Sequence, residues 1–212
     1  MSTRVTGRGQ LVRQALVAQV LTASWMIVEG AVAILTGVAA RSVALTAFGI
    51  DSGIEIFTAV VVFTQLRGED CNGHGEYTAA ERRATRLVGY GLWGLIAYIV
   101  VSTVYTLTAG VEAEPSTLGI VLALAVLVVM PGLWWWRRRL AERLDNPGLR
   151  ADVACSVVCI YMAVTLLGGL VLNRAFGWWW ADPLAGLAMM WWIRREASEA
   201  LQAARTGRHC EC

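Results

Sequence analysis

Lysine is missing altogether: all 18 basic residues of this 212-residue chain are arginine. Charged residues make up only 16%, whereas a soluble domain keeps about 25% of its residues charged. There is too little charge here to cover a globule. Histidine occurs twice, at positions 74 and 209, both outside the apolar stretches. With no Ser/His/Asp arrangement and no metal-hydrolase motif, the chain does not read as an enzyme. Five cysteines in this length do not make a disulfide scaffold. The net charge of +2 carries no basic stripe beyond the flanks of apolar runs, so nucleic acid is not an expected partner. The first residues, Met1 to Gln14, are polar, and no small-residue cleavage site follows the next apolar run, so no removable signal peptide is expected.

What the chain has in quantity is hydrocarbon. Hydrophobic residues reach 57% and the mean hydropathy is +0.54. They fall in runs long enough to cross ~30 Å of bilayer, which takes about 20 residues. We read six spans, at 15–37, 42–66, 86–110, 116–136, 150–173 and 177–194, followed by a short cytoplasmic tail, 195–212. The fold class is therefore an all-α polytopic membrane protein with the lipid bilayer as its solvent. Gly37, the turn from Glu112 to Pro115, Asn146-Pro147-Gly148 and Asn173 serve as separators. The Trp178–Trp180 cluster reads as an interfacial belt at the start of the last span.

Arginine placement sets the orientation. Of the 18 arginines, 16 lie at the start of the chain, in the second and fourth loops, or in the tail; Arg41 and Arg174 alone fall on the other side. The positive-inside rule then puts both termini in the cytoplasm.

An ionisable residue within a span costs about 2.5–3.5 kcal/mol on insertion scales, so each needs a reason. Asp51 and Glu55 stand near the middle of the second span, four residues apart, one helical turn on one face. Two adjacent anions in low dielectric repel, and either a retained proton or a bound cation relieves them. In the fifth span Asp152, Cys155 and Cys159 form a single stripe at offsets of three and four. Two thiolates and two carboxylates supply four donors, the number a tetrahedral divalent site requires. Thiolates favour Zn2+ or similarly soft ions over Mg2+ or Ca2+. Glu29, in the first span, completes this chamber, carries a proton, or ties helices together. Asp182-Pro183 reads as ordinary helix-start chemistry for the last span. The loop Glu69 to Glu76 and the tail His209 to Cys212 carry further metal donors, and an ordinary loop and terminus explain them as well.

At this point the residues resemble the cation diffusion facilitator family, zinc and manganese exporters that exchange metal for protons. Ser42 to Leu45, followed by Asp51-Ser52-Gly53-Ile54-Glu55, looks like a small-residue start and D-S-x-x-D. Gly73-His74-Gly75-Glu76 resembles a G-H-G-K-x-E stretch, and Gly177 through Ala181-Asp182-Pro183 resembles G-W-x-x-A-D-P. The resemblance implies a site made of Asp51 and Glu55 with an H-x-x-x-D pair on the fifth span. Counting back from Asp182, that pair falls on Cys155 and Cys159, with Asp152 as an auxiliary ligand; a shifted register would use Asp152 and Ser156 instead. It further implies alternating access, with metal and protons as partners, no resident cofactor, and transport out of the cytoplasm across a bacterial inner (plasma) membrane. Too little chain follows Ile193 for the family's usual cytoplasmic domain, so a transmembrane-only branch is expected and a homodimer is left open.

Two other readings compete. A membrane metal-binding or redox sensor would bind without transporting, although Cys at i and i+4 on one helix, ~5–6 Å apart, exceed the ~4 Å a disulfide needs. A structural subunit would use its acids as helix glue. Orientation is directly testable. A single Cys introduced at Ala113 should react with a membrane-impermeant reagent in intact cells while Cys212 does not; the reverse pattern would invert the topology.

Overall fold

In a computed structural model, which describes residues 2–68, 79–144 and 147–206, the chain forms six helices. They are α1 (Ser2–Ala39), α2 (Val43–Gly68), α3 (Ala79–Ala109), α4 (Thr117–Leu144), α5 (Pro147–Phe176) and α6 (Ala181–Thr206). No strand occurs among the described residues. The first five contain stretches long and apolar enough to cross a membrane. By the same measure α6 does not, because Arg194, Arg195, Glu196 and Glu199 crowd its second half. Its first half, through Ile193, carries Asp182 as its sole charge and packs against α2, α3 and α5. The outer face carries many exposed apolar side chains: Leu35 is 72% exposed, Val101 68% and Val128 77%. That surface suits lipid and not water. The chain is an integral membrane protein.

The helices overrun the spans expected from hydropathy, and mostly at one end. α1 begins at Ser2, α3 at Ala79, and α4 runs on to Leu144. A 38-residue helix such as α1 is about 57 Å long, nearly twice the hydrocarbon thickness. The arginines read as loop residues at 137–139 and 143 therefore lie on helix. Arg138 and Arg139 stand over the rings of Trp134 and Trp135, at 5.3 and 3.5 Å. At the opposite end Trp178 and Trp180 stack at 5.1 Å, within the turn that precedes α6. Aromatic residues thus mark both ends of the bundle.

Two expected separators are packing residues instead. Gly37 sits inside α1, where an added Cβ would lie 2.6 Å from Thr46 Oγ1; Gly49 of α2 would meet Ile34 in the same way at 2.7 Å. Their missing side chains let α1 and α2 run in close contact, as small residues do between membrane helices. Asn173 does not end α5, which continues to Phe176; its Nδ2 donates to the Ala113 carbonyl at 2.8 Å. The turn between Glu112 and Pro115 is present, pinned also by Glu114 N donating to Ala40 O at 2.8 Å. Pro147 opens α5, while Asn146 lies outside the described residues.

Asp182 corrects the sequence reading most plainly. It is fully buried and caps a different helix from its own. Oδ1 accepts from Ser42 Oγ at 2.5 Å, and Oδ2 accepts from the backbone N–H groups of Val43 at 2.7 Å and Ala44 at 3.4 Å. Those are orphan donors at the start of α2, where a carboxylate is favoured by both hydrogen bonding and the helix dipole. Ser42 Oγ then accepts from Leu45 N at 3.0 Å. One side chain thereby joins the starts of α2 and α6. Asp182→Ala leaves buried donors without a partner and should lower stability by about 1–3 kcal/mol. Thermal unfolding in detergent checks this: an unchanged Tm would show that the joint contributes nothing.

Candidate metal site and family membership

The close pairing of α1 and α2 sets Glu29 beside Ser52. Ser52 Oγ lies 3.3 Å from Glu29 Oε1, to which it donates, and 3.1 Å from Phe48 O. Asp51 and Glu55 project from the adjoining face of α2. Glu29 is 0% exposed, Asp51 1% and Glu55 8%. The Cys159 thiol, 1% exposed on α5, stands in hydrogen-bonding range of the Glu55 carboxylate. Four of the residues singled out from the sequence are thus brought together from three helices. Asp51 lies near Glu55, and Glu29 lies near both Glu55 and Cys159.

On three of these groups an oxygen makes no hydrogen bond among the described residues, although the Trp25 indole stands beside Glu29. Glu29 Oε2, Asp51 Oδ1 and Glu55 Oε2 are buried and lack a hydrogen-bond partner among the described residues. Buried polar atoms are nearly always satisfied, and buried charges are paired or coordinate metals. Three exceptions within one cluster make it the chemically unusual place in the bundle. Among the described residues no three His, Cys, Asp or Glu side chains converge closely enough to enclose an ion. Asp152 and Cys155 lie on α5, one to two turns from Cys159 toward the arginine-rich end, with side chains outside the described residues. The same holds for the donors between Glu69 and Glu76 and between His209 and Cys212.

Two residues escaped the sequence reading. Arg137 was read as part of an arginine-rich loop, yet it is 1% exposed and its Nη1 donates to Ser156 Oγ at 3.0 Å, linking α4 to α5. Glu196 of α6 lies close enough to Asp51 and Glu55 for its charge to act on both. Its place among the flanking arginines hid it, but spacing offered a signal. Met189, Ile193, Glu196 and Ala200 follow one stripe at offsets of four and three, continuous with the buried face of α6.

At the other end of the bundle a cavity of about 430 Å³ opens between the α1–α2 connection and α3. Arg41, Ser42, Thr46, Tyr98, Ser102 and Tyr105 help to line it, giving it a hydroxyl-rich wall. Thr46 stands on α2 between this cavity and Asp51.

Carboxylates from α1 and α2 thus meet a thiol from α5 at mid-bundle. The profile of the cation efflux transmembrane domain matches residues 15–201. The chain belongs to the cation efflux family. This is a family of transporters rather than of enzymes, and the matched range takes in every residue of the cluster. The efflux domain is also similar to an uncharacterised transporter of Synechocystis sp., 27% identical over 153 residues. That alignment covers 70% of this chain and 49% of the relative, so the chain spans about half the length of the curated relative it matches.

Proposed function

We propose that this efflux domain carries a divalent cation across the bilayer, with Zn2+ the first candidate, out of the cytoplasm and in exchange for protons. The observation that carries the reading is the set of buried carboxylate oxygens without partners on Glu29, Asp51 and Glu55. A cation between Asp51 and Glu55 would offset their repulsion and supply the missing interactions at once. Cys159 already stands against Glu55, and a thiol in this position biases the choice toward soft divalent ions. Cys155, four residues earlier on α5, is the natural fourth donor, with Asp152 beyond it toward the arginine-rich end. Glu29 stands behind the pair as a further negative group.

The register that uses Cys155 and Cys159 is favoured over Asp152 and Ser156. Ser156 Oγ accepts a hydrogen bond from the buried Arg137 guanidinium, and a cation at that hydroxyl would face a fixed positive charge. Thiols must lose their protons before they bind metal, so loading the site releases protons. The arginine-rich helix ends then face the cytoplasm of a bacterial cell, with both termini inside, and the hydroxyl-lined cavity near Arg41 opens outward as the release side.

Flux into sealed vesicles decides between transport and sensing: wild-type protein that binds Zn2+ but moves none is a sensor. Asp51→Ala or Glu55→Ala should abolish flux while the protein stays folded, because removing one carboxylate relieves repulsion within the pair. Wild-type flux through Asp51→Ala would remove that residue from the site.

The cysteines allow a ranking test. Cys155→His with Cys159→Asp should keep transport and weaken the preference for Cd2+ over Zn2+. Cys155→Ser with Cys159→Ser should be far worse, since a neutral hydroxyl is a poor ligand. A packing role predicts the opposite order, with Ser tolerated and the charged replacement damaging.

A further inference from the structure

Gly53 is two residues from both Asp51 and Glu55, so it points to nearly the opposite side of α2. On that side a groove of about 300 Å³ runs between α2 and α3. Ile50, Gly53 and Phe57 form one wall, Leu87 and Gly91 the other, and every residue that lines it is apolar. Two glycines keep it open. A Cβ at Gly53 would meet nothing within 4 Å, and one at Gly91 would lie 3.5 Å from Ile54 Cδ1. Phe57 is 44% exposed and Leu87 63%, so the groove faces the lipid. A recess of this chemistry suits hydrocarbon and not water.

One end of the groove is charged. Arg83, Leu87 and Gly91 follow one stripe of α3 at offsets of four. Arg83 therefore stands one turn, about 6 Å, beyond Leu87 toward the arginine-rich end of the bundle. Arg86, next to Leu87, belongs to the same turn. Both arginines are exposed, and neither makes a side-chain hydrogen bond or ion pair among the described residues. An apolar slot that leads to two uncommitted guanidiniums matches an amphiphile with a hydrocarbon tail and an anionic head.

We propose that the α2–α3 groove binds an acyl chain of an anionic phospholipid, whose phosphate is held by Arg83 and Arg86. Guanidinium groups match phosphate oxygens in pairs, and basic residues beside a bilayer attract anionic headgroups. A second copy of this chain suits the groove less well. A two-fold interface about the membrane normal would gather the arginines of both chains at one level, like charge against like. A seated lipid packs against α2 directly behind the acids. The inference uses none of the proposed metal ligands, so it stands or falls independently of the transport reading.

The test uses the intact chain in a neutral detergent, with phosphatidylglycerol as the probe. Phosphatidylcholine of the same chains supplies the zwitterionic counterpart, and inorganic phosphate the bare anion. Thermal unfolding against lipid concentration gives a half-stabilising concentration for each. Phosphatidylglycerol should be effective at a concentration at least about fivefold below that of phosphatidylcholine, and phosphate alone should do nothing. Arg83→Gln with Arg86→Gln should raise the phosphatidylglycerol value about tenfold to thirtyfold, at roughly fivefold per arginine, and leave phosphatidylcholine within about twofold. Gly53→Leu fills the groove and should weaken both lipids while the lipid-free Tm is kept. Arg139→Gln with Arg143→Gln removes equal charge from α4, which packs on α1 and α5, and should stay near wild type.

Equal response of the wild type to the two lipids, or stabilisation by phosphate alone, overturns the proposal. A loss in the α4 pair as large as in the α3 pair also overturns it, by making the attraction diffuse. If Gly53→Leu binds phosphatidylglycerol like wild type, the groove is not the site. If that variant instead splits a wild-type dimer, a second copy is the occupant and the proposal fails. A paired glutamine variant that no longer folds makes the arginines structural and overturns it as well.

Discussion

Glu29, Asp51 and Glu55 are each at least nine-tenths buried in a bundle whose outer surface is hydrocarbon. Placing carboxylates there costs several kcal/mol in lost hydration, and their mutual repulsion adds to the cost. The rest of the fold has to hold them despite this. α1 and α2 do so by packing closely at Gly37 and Gly49, which fixes Glu29 beside Ser52. α5 contributes the Cys159 thiol against Glu55, and α6 is held level with α2 by Asp182. The apolar core of Phe48, Leu92, Ile99, Met162, Leu166 and Met189 surrounds this polar centre and keeps the helices from separating around it.

Much of this was legible in the sequence, and for definite reasons. Hydropathy alone marks the bundle, because helices are the economical way to satisfy backbone groups in lipid. Asp51 and Glu55 stand out because charge within a span is rare, and Cys159 because it shares a stripe with Cys155. The features that were missed share one cause. Arg137 and Glu196 sit among arginines near the membrane boundary, where charge is expected and attracts no notice. Only the extension of α4 and α6 past that boundary shows that one is buried and the other lies near the acids.

Asp182 was misread for a different reason. A local rule, that acids cap the helix they begin, accounted for it fully and concealed a bond to residues 139 and 140 positions away. Gly37 and Asn173 were taken as breakers on equally local grounds, and both act instead through neighbouring helices. Sequence spacing reports which residues share a face of one helix. Which helix that face meets is decided by packing between distant segments, and no spacing rule contains it.

The Asp182 joint has a mechanical consequence. It binds the first turns of α2 and α6 through three hydrogen bonds at one end of the bundle. A pair fastened at one end opens like tweezers. Widening the gap beside Glu55 and Glu196 requires the arginine-rich ends to swing apart, and the pivot can stay intact throughout. For the proposed transport, access from the two sides of the membrane would be mechanically unequal: one mouth would gape by leverage, and the other would have to loosen around a fixed pin.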